Sequence, residues 1–321
     1  MNRIFRWLAV LGAAASLTAC GGGDDDHPTP TPPPGNIVVV AQANGFTALA
    51  AAATKANLVT ALSDPAANLT VFAPTDAAFT ALAKQLGFTD ATAMVTALPA
   101  SALANILTYH ELPTKKTAAD LIAGGATQAT LYSFGGAATK LNLAFTSGVS
   151  ITDAALTTAK VVTADVAASN GVIHAIDKVL VPPGVLNIVQ MAQVNPLFTT
   201  LVGAVVKANL QGTLSGAGPF TVFAPTNDAF AAIASTVASL TTPQLSKVLT
   251  YHVLPAQVLA ANIPFGTPVA TVEGETLTIN AGTPPTITDK STTKAPIIAT
   301  DVRASNGVIH VVSKVLIPTL P

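Results

Sequence analysis

One ten-residue stretch occurs twice in this chain and constrains its fold more than any other feature. It reads Thr-Val-Phe-Ala-Pro-Thr-Asp-Ala-Ala-Phe from residue 70 and Thr-Val-Phe-Ala-Pro-Thr-Asn-Asp-Ala-Phe from residue 221. Each stretch predicts a short apolar strand, a proline and a capped helix start, because side-chain oxygens at a helix start accept from the free N–H groups of the first turn. The duplication predicts two copies of one strand–helix unit.

The helix that follows each stretch is predicted to be capped and to face the core. Thr75 or Asp76 is the predicted cap in the first copy, and Thr226 or Asn227 in the second. Asp76 and Asp228 are interpreted as acidic helix-start residues that the helix dipole stabilises. The i, i+3, i+7 spacing of apolar residues predicts a core-facing stripe in each copy. These stripes are Phe79, Leu82 and Leu86, and Phe230, Ile233 and Val237.

Two further blocks recur in the same order. A Tyr-His pair near a predicted helix end stands at Tyr109-His110 and returns at Tyr251-His252, and each histidine continues an apolar stripe. Ser-Asn-Gly-Val-Ile-His follows later in both copies and predicts a hairpin, because Asn and Gly both tolerate positive φ. The residues of this block are Asn170, Gly171 and His174, and Asn306, Gly307 and His310.

Composition narrows the classes of partner and site. Charged residues make up 10% of the 321 residues and the net charge is -1, against about 25% charged residues in a typical globular protein. Nucleic acid binding, which needs a basic patch, is therefore not predicted. The single cysteine excludes a disulfide within the chain and a cysteine-clustered zinc site.

The first 35 residues predict export and anchoring. Residues 1–19 have the basic start and short apolar run of a signal peptide, and they end in Leu-Thr-Ala before Cys20. This ending resembles the lipobox of bacterial lipoproteins, which implies a lipid on Cys20 as the membrane anchor. Residues 20–35 are rich in Gly, Asp, Thr and Pro and are predicted to be a disordered tether. The expected location is the bacterial cell envelope, with the outer membrane favoured because glycines follow Cys20.

The three repeated blocks resemble the fasciclin-like domain. The second copy departs from the family pattern at Asn227-Asp228 and at Val312-Ser313. The resemblance implies an α+β fold with two tandem domains, residues 36–183 and 184–321. It further implies that each domain is a twisted β-wedge or sandwich packed against several helices. Such domains are associated with adhesion and matrix interaction, with no general catalytic activity and no obligate cofactor.

The repeated histidines allow a structural and a functional interpretation. The structural one, which we favour, makes them part-buried rings that hydrogen-bond backbone groups. The functional one is a ligand or metal site, but no His-x-x-x-His pair or carboxylate cluster accompanies them. In animal members of the family the segment around Tyr-His resembles an integrin-contacting site. That makes four residues candidates for partner contact as well as for structure: Tyr109, His110, Tyr251 and His252.

The sequence therefore predicts a non-catalytic adhesion or binding lipoprotein. Its expected partner is a protein or glycan on another cell, matrix or surface, and it meets the membrane through its lipid anchor only. No catalytic residue, metal or cofactor is predicted, and Ser169 and Ser305 lack the Gly-x-Ser-x-Gly setting of a hydrolase nucleophile. The alternative is a periplasmic carrier of a small or apolar ligand, which would need an apolar pocket of roughly 300 Å³ per domain.

Overall fold

The computed structural model describes residues 34–320, in which each copy of the repeat forms one seven-stranded sheet and a group of helices. The predicted signal peptide, Cys20 and the tether up to Pro33 lie outside the described residues. The helices of the first copy are α1 (Ile37–Ala43), α2 (Thr47–Lys55), α3 (Val59–Ser63), α4 (Asp76–Gln85), α5 (Ala91–Ala97), α6 (Ala100–Tyr109) and α7 (Ala118–Ala123). Its strands are β1 (Leu69–Pro74), β2 (Glu111–Leu112), β3 (Thr127–Phe134), β4 (Ala137–Ala144), β5 (Ser150–Thr152), β6 (Thr158–Ala168) and β7 (Gly171–Ile176).

The second copy repeats this order. Its helices are α8 (Ile188–Val194), α9 (Thr199–Lys207), α10 (Gln211–Leu214), α11 (Asn227–Ala231), α12 (Ala234–Ser239) and α13 (Thr242–Tyr251), with short 3-10 helices at Pro196–Phe198 and Ala260–Asn262. Its strands are β8 (Phe220–Pro225), β9 (Val253–Leu254), β10 (Pro268–Ala270), β11 (Thr276–Asn280), β12 (Thr286–Thr288), β13 (Ala295–Ala304) and β14 (Gly307–Val312). Within residues 34–320, no single helix is long and apolar enough to cross a bilayer.

Each sheet bends at its longest strand. The strand order is β2-β1-β7-β6-β5-β4-β3 in the first copy and β10-β11-β12-β13-β14-β8-β9 in the second. The start of β6 pairs with β5, whereas the rest pairs with β7 through two register shifts. Such irregularities bend a strand, so the sheet divides into two halves that face each other. The predicted α+β fold with two tandem units is confirmed.

Apolar side chains pack on both faces of the bent sheet. One core in each copy lies between the two halves of the sheet, where alternate residues of β3 and β11 point inward. The other core lies between the sheet and the helices and extends through both copies. Strands β7 and β14 are buried along their whole length because a core lies on each of their faces.

The helix after the repeated stretch is continuous, as predicted, in the first copy only. In α4, Phe79 and Leu82 are buried and Leu86 caps the helix end. In the second copy α11 ends at Ala231 and α12 begins at Ala234, so the predicted helix is interrupted. Phe230 is nevertheless buried, and Ile233 and Val237 pack against the core as predicted. Residues 76–97 of the first copy number 22, but their counterparts 227–239 number 13. The second copy is therefore shortened within its helices as well as in its loops.

The predicted hairpins form, but the reason given for their glycines needs correction. Ala168 pairs with Gly171, so the two-residue loop is Ser169-Asn170 and the glycine is the first residue of β7. Neither Asn170 nor Gly171 has positive φ. A Cβ on Gly171 would lie 2.3 Å from the Leu69 carbonyl oxygen, so this position requires glycine for close approach of two strands.

The asparagine of each hairpin joins three separate backbone segments. Asn170 Oδ1 accepts from the Ile37 N–H at 2.9 Å, and its Nδ2 donates to the Leu62 and Asp64 carbonyls, both at 2.9 Å. One buried amide thus connects the start of α1, the end of α3 and the hairpin. In the second copy Asn306 makes the same bonds at 2.7–2.9 Å with Ile188, Leu214 and Gly216.

The connection between the copies is held by contacts from both sides. The Gly184 N–H donates to the Arg303 carbonyl at 3.0 Å, and the Arg303 guanidinium lies 5.3 Å from the centre of the Phe134 ring. Asn195 Nδ2 donates to the Ala155 carbonyl at 2.7 Å. Gly184 has a φ of 76°, and a Cβ there would lie 2.0 Å from the Phe134 ring. Only glycine therefore fits this position without displacing the ring.

Replacing the hairpin asparagine tests its structural role. In Asn170→Ala, one N–H and two carbonyl groups lose a partner, so we expect the free energy of unfolding to fall by roughly 2–4 kcal/mol. Chemical denaturation followed by circular dichroism measures this loss. Ser169→Ala, at the exposed neighbouring position, is the control and is expected to change it by less than about 0.5 kcal/mol. Equal effects of the two variants would contradict the assignment.

Candidate functional site

The histidines of the two Tyr-His pairs link a helix end to the irregular segment after the last strand of each copy. His110 caps the C-terminus of α6, where its Nδ1 lies 2.7 Å from the Ile106 carbonyl oxygen. Its Nε2 accepts from the Leu180 N–H at 2.8 Å. These partners assign a neutral ring with its proton on Nδ1. The second copy repeats both contacts at 2.8 Å with His252, Val248 and Leu316.

The histidines of the hairpin strands have the opposite tautomer. His174 Nε2 lies 2.9 Å from the Lys116 carbonyl oxygen, and its Nδ1 accepts from the Asp165 N–H at 3.2 Å. The ring is fully buried and its centre lies 5.7 Å from that of Phe72. His310, Val258, Asp301 and Phe223 repeat this arrangement in the second copy.

Burial and these bonds leave the four rings unable to act as ligands or bases. Burial lowers the pKa of His110 and of His252 to about 4, and it also lowers the pKa of His310. Both nitrogens of each ring already have backbone partners, so a metal ion would have to displace a hydrogen bond. Within residues 34–320, no three His, Cys, Asp or Glu side chains lie close enough together to hold a metal ion.

The candidate partner-contact residues do not lie on the surface. Tyr109, His110, Tyr251 and His252 are only 0–2% exposed. The apolar stripe of α6 and α13 carries these side chains into the junction between helix and sheet. A partner docking on this fold would not reach them, so their prediction as contact residues needs correction.

Asp76 and Asp228 both lie in the first turn of their helices, as predicted, but only Asp76 also binds a neighbouring helix. Thr75 caps α4, while the Asp76 carboxylate accepts from the Ala48 N–H at 2.9 Å and from the Thr47 hydroxyl, both in the first turn of α2. In the second copy Thr226 caps α11 and Asn227 makes the corresponding bonds to Thr199 and Thr200 at 3.1 and 2.9 Å. Asp228 is exposed and does not correspond to Asp76. The two repeated stretches begin at residues 70 and 221, which are 151 positions apart, and the same offset from Asp76 leads to Asn227. The sequence alone could therefore have identified the counterpart.

Two aspartates that the sequence analysis missed shape the bend in β6 and β13. Asp165 has a φ of 59° and Asp301 a φ of 61°, a backbone conformation that non-glycine residues rarely adopt. The Asp165 carboxylate accepts from the Ala118 N–H at 2.8 Å, and Asp301 accepts from Ala260 at 2.9 Å. Their recurrence nine residues before each histidine is the signal that could have identified them.

The first copy has an open groove between α2, α4 and α5. Its volume is about 560 Å³, and α4 and α5 belong to the segment that is longer in this copy. Four threonines, three alanines, one lysine and two aspartates line most of it: Thr47, Thr80, Thr92, Thr96, Ala48, Ala51, Ala91, Lys55, Asp76 and Asp90. The groove is therefore rich in hydroxyl groups and nearly balanced in charge.

Each copy also contains an apolar cavity beneath its first two helices. The cavities lie at matching positions and have a volume of about 30 Å³ each. That is room for about two water molecules, far below the roughly 300 Å³ expected of a carrier. One wall of the first cavity contains Glu111, whereas Val253 takes that place in the second.

The two copies should respond differently to acid. The pKa of His252 lies near 4 in the folded state and near 6.5 as a reference, so its stabilising contribution is complete above pH 6.5 and is lost as the pH falls toward 4. The same holds for His110. In the first copy, burial raises the pKa of Glu111 to about 7 and of Asp153 to about 6. Protonation of these carboxyls therefore stabilises the folded first copy over the same range.

Hydrogen exchange can measure this difference. Between pH 7.5 and 5, we expect the free energy of opening for amides of α13 to fall by roughly 2 kcal/mol, while that for α6 is maintained. Exchange followed by mass spectrometry, corrected for the intrinsic rate at each pH, provides the measurement. Glu111→Val introduces the residue of the second copy. In this variant the free energy of opening for α6 amides should fall between pH 7.5 and 5, as it does for α13. If α6 of the unmodified protein lost as much protection as α13, the assignment would be wrong.

The comparisons with known proteins agree with this duplicated architecture. The family model for the fasciclin domain matches residues 44–182 and 196–318. Protein sll1483 of Synechocystis is 48% identical over 140 residues, which span 42% of this chain and 75% of that protein. Transforming growth factor-beta-induced protein ig-h3 of Sus scrofa is 38% identical over 165 residues, which span 50% of this chain and 23% of that protein.

One solved structure extends over most of the chain. A FAS1 domain pair from the insect cell adhesion molecule Fasciclin I aligns with 88% of this chain and 95% of its own, at 17% identity and a TM-score of 0.43. The family assignment rests on the two matched segments, which coincide with the two bent sheets. The resemblance predicted from the three repeated blocks is thereby confirmed, and this chain belongs to the fasciclin domain family.

Proposed function

We propose that this protein is a non-catalytic adhesion or binding lipoprotein of the bacterial cell envelope. In this proposal a lipid on Cys20 anchors it in the outer membrane and residues 20–35 project two domains, residues 36–183 and 184–321, from the membrane. The domains attach to a protein or glycan on another cell, matrix or surface. The family assignment supports an adhesion role, because Fasciclin I, which this chain resembles, is a cell adhesion molecule.

The observation that carries the proposal is how the ionisable side chains are used. All four histidines of the repeated blocks hydrogen-bond backbone groups inside the fold. Asp76, which is half-buried, and Asp165 and Asp301, which are exposed, also accept backbone hydrogen bonds. Groups committed in this way cannot serve as acid, base or nucleophile without disrupting the fold. What the fold offers to a partner is its surface, where charges are few. Contacts are therefore expected through hydroxyl groups and apolar area, with little dependence on salt.

The groove of the first copy is the surface that best fits partner binding. It is concave, and the longer α4–α5 segment that forms it has no full counterpart in the second copy. Its threonines and carboxylates offer both hydrogen-bond donors and acceptors to a protein or a glycan. We therefore assign partner contact to this groove in place of the buried Tyr-His pairs.

The alternative functions have less support. A periplasmic carrier of a bulky apolar ligand would need far more room than the cavity of about 30 Å³ in each copy. An enzyme would need titratable groups that converge on a cleft. The acids at the groove include Asp76 and Asp90, and both already cap helices.

Anchoring through Cys20 can be tested by fractionation. Cys20→Ser removes the only thiol that can be lipidated, so we expect the protein to leave the membrane fraction for the soluble fraction. Immunoblots of both fractions provide the measurement, with Ser16→Ala as the control that keeps the cysteine. A Cys20→Ser protein that stayed with the membrane would show that the anchor lies elsewhere.

Adhesion and the assigned groove can be tested together. Deletion of residues 36–321 is expected to lower attachment of cells to other cells, glycans or surfaces. Ala51→Trp, which places an indole in the groove, should lower attachment to the level of the deletion strain. Gly203→Trp is the matched control, because Gly203 is the exposed counterpart on α9 and a side chain there meets open space.

The possible outcomes test adhesion and the assignment of the groove independently. An unchanged deletion strain would contradict adhesion. A deletion that lowers attachment while Ala51→Trp attaches normally would keep adhesion and remove the groove as the contact site. Attachment that fell steeply between low and physiological salt would contradict the expectation of charge-poor contacts.

A further inference from the structure

The chain contains three Asn-Gly pairs, and the structure places them in different environments. They are Asn44-Gly45, Asn170-Gly171 and Asn306-Gly307. An asparagine before glycine is the least hindered setting for attack of the following backbone nitrogen on the side-chain amide, because glycine has no Cβ. The three pairs therefore have similar intrinsic reactivity. They differ in how firmly the fold holds each amide and each glycine nitrogen.

The two hairpin pairs are fixed at both atoms that would react. Asn170 and Asn306 are buried, and each amide makes the three backbone hydrogen bonds described above. Gly171 and Gly307 begin β7 and β14, where each pairs with strands on both sides. Attack of either glycine nitrogen on its amide would require the hairpin to separate from the start of α1 or α8.

The Asn44-Gly45 pair is exposed, in the turn between α1 and α2. Among the described residues its amide makes one hydrogen bond, from Asn44 Nδ2 to the Val40 carbonyl at 2.8 Å, and the Gly45 N–H donates to the Gln42 carbonyl at 3.1 Å. Both bonds lie at the end of a seven-residue helix, and helix ends open at little cost in free energy. A Cβ on Gly45 would meet nothing within 4 Å, so no neighbouring side chain shields the pair.

We infer that Asn44 is a site of spontaneous deamidation in the folded protein, whereas the two hairpin asparagines are protected. The Gly45 nitrogen loses its proton and attacks Asn44 Cγ, which forms a succinimide ring while Nδ2 leaves as ammonia. Water then opens the ring at one of its two carbonyl carbons and gives aspartate or isoaspartate. The reaction consumes water only and replaces a neutral amide with a carboxylate.

The modification changes a concavity beside the groove. Asn44 lines a pocket of about 220 Å³ together with Asp76, and Asp76 also lines the groove between α2, α4 and α5. The new carboxylate is the second among the residues of this pocket, and it lies at the C-terminus of α1, where the helix dipole disfavours a negative charge. An isoaspartate also adds a methylene to the backbone between Ala41 and Phe46, whose carbonyl and N–H are hydrogen-bonded at 3.1 Å in the unmodified protein.

The inference stands without the proposed adhesion, because the reaction can be followed on the purified full chain. The protein is kept at physiological temperature and mildly alkaline pH, and mass spectrometry of a protease digest follows the change from amide to acid at each Asn-Gly pair. We expect Asn44 to convert at least about tenfold faster than Asn170 and Asn306, because an amide that reacts only after local opening is slowed by the free energy of that opening. The rate at Asn44 should rise with pH, since the Gly45 nitrogen reacts after losing its proton.

Two controls distinguish the effect of the fold from that of the dipeptide itself. In strong denaturant the three pairs should convert at similar rates, because the hydrogen bonds that distinguish them are absent. Asn44→Gln keeps an amide at this position but would have to form a larger ring. In this variant the conversion should be lost while the circular dichroism spectrum is unchanged.

Three results would overturn the inference. The first is an Asn44 that remains an amide in the folded protein although it converts in denaturant. The second is conversion of Asn170 or Asn306 in the folded protein as fast as that of Asn44. The third is a change from amide to acid in the same peptide that persists in Asn44→Gln.

Discussion

A buried asparagine amide at the hairpin of each copy is the interaction on which the rest of the structure depends. Its side chain satisfies one N–H and two carbonyl groups from segments ninety or more residues away along the chain. Backbone groups buried without partners would cost free energy comparable to lost hydrogen bonds, so this amide is what allows the first helix to close over the sheet. The histidines play the same part at the other junctions, where His110 connects α6 to the segment after β7.

This use of polar side chains limits what the protein can do chemically. A histidine that donates to one carbonyl and accepts from one N–H has no free nitrogen for a proton transfer or a metal. The proposed function therefore relies on the surface of the fold, where the groove between α2, α4 and α5 is concave and rich in hydroxyl groups. Glu111 differs from these histidines, because burial raises its pKa to about 7.

The sequence predicted the features that depend on neighbouring residues. The duplicated strand and capped helix, the hairpins and the α+β class follow from short patterns, and the structure contains them. Features set by distant residues were missed. The role of Asn170 depends on Ile37 and Leu62, and the burial of Tyr109 depends on the opposite half of the sheet. The spacing correctly predicted the core-facing residues of the second-copy helix but not its interruption, because that copy lacks nine of the residues found between the start of α4 and the end of α5 in the first.

The contacts around Gly184 have a consequence for how such a duplicated chain can change over generations. Arg303 of the second copy stacks near Phe134 of the first, and the Asn195 amide reaches a carbonyl of the first copy. Either copy alone would leave an aromatic ring and polar groups without their neighbours. A gene rearrangement that separated the copies would therefore cost stability even where each sequence is intact.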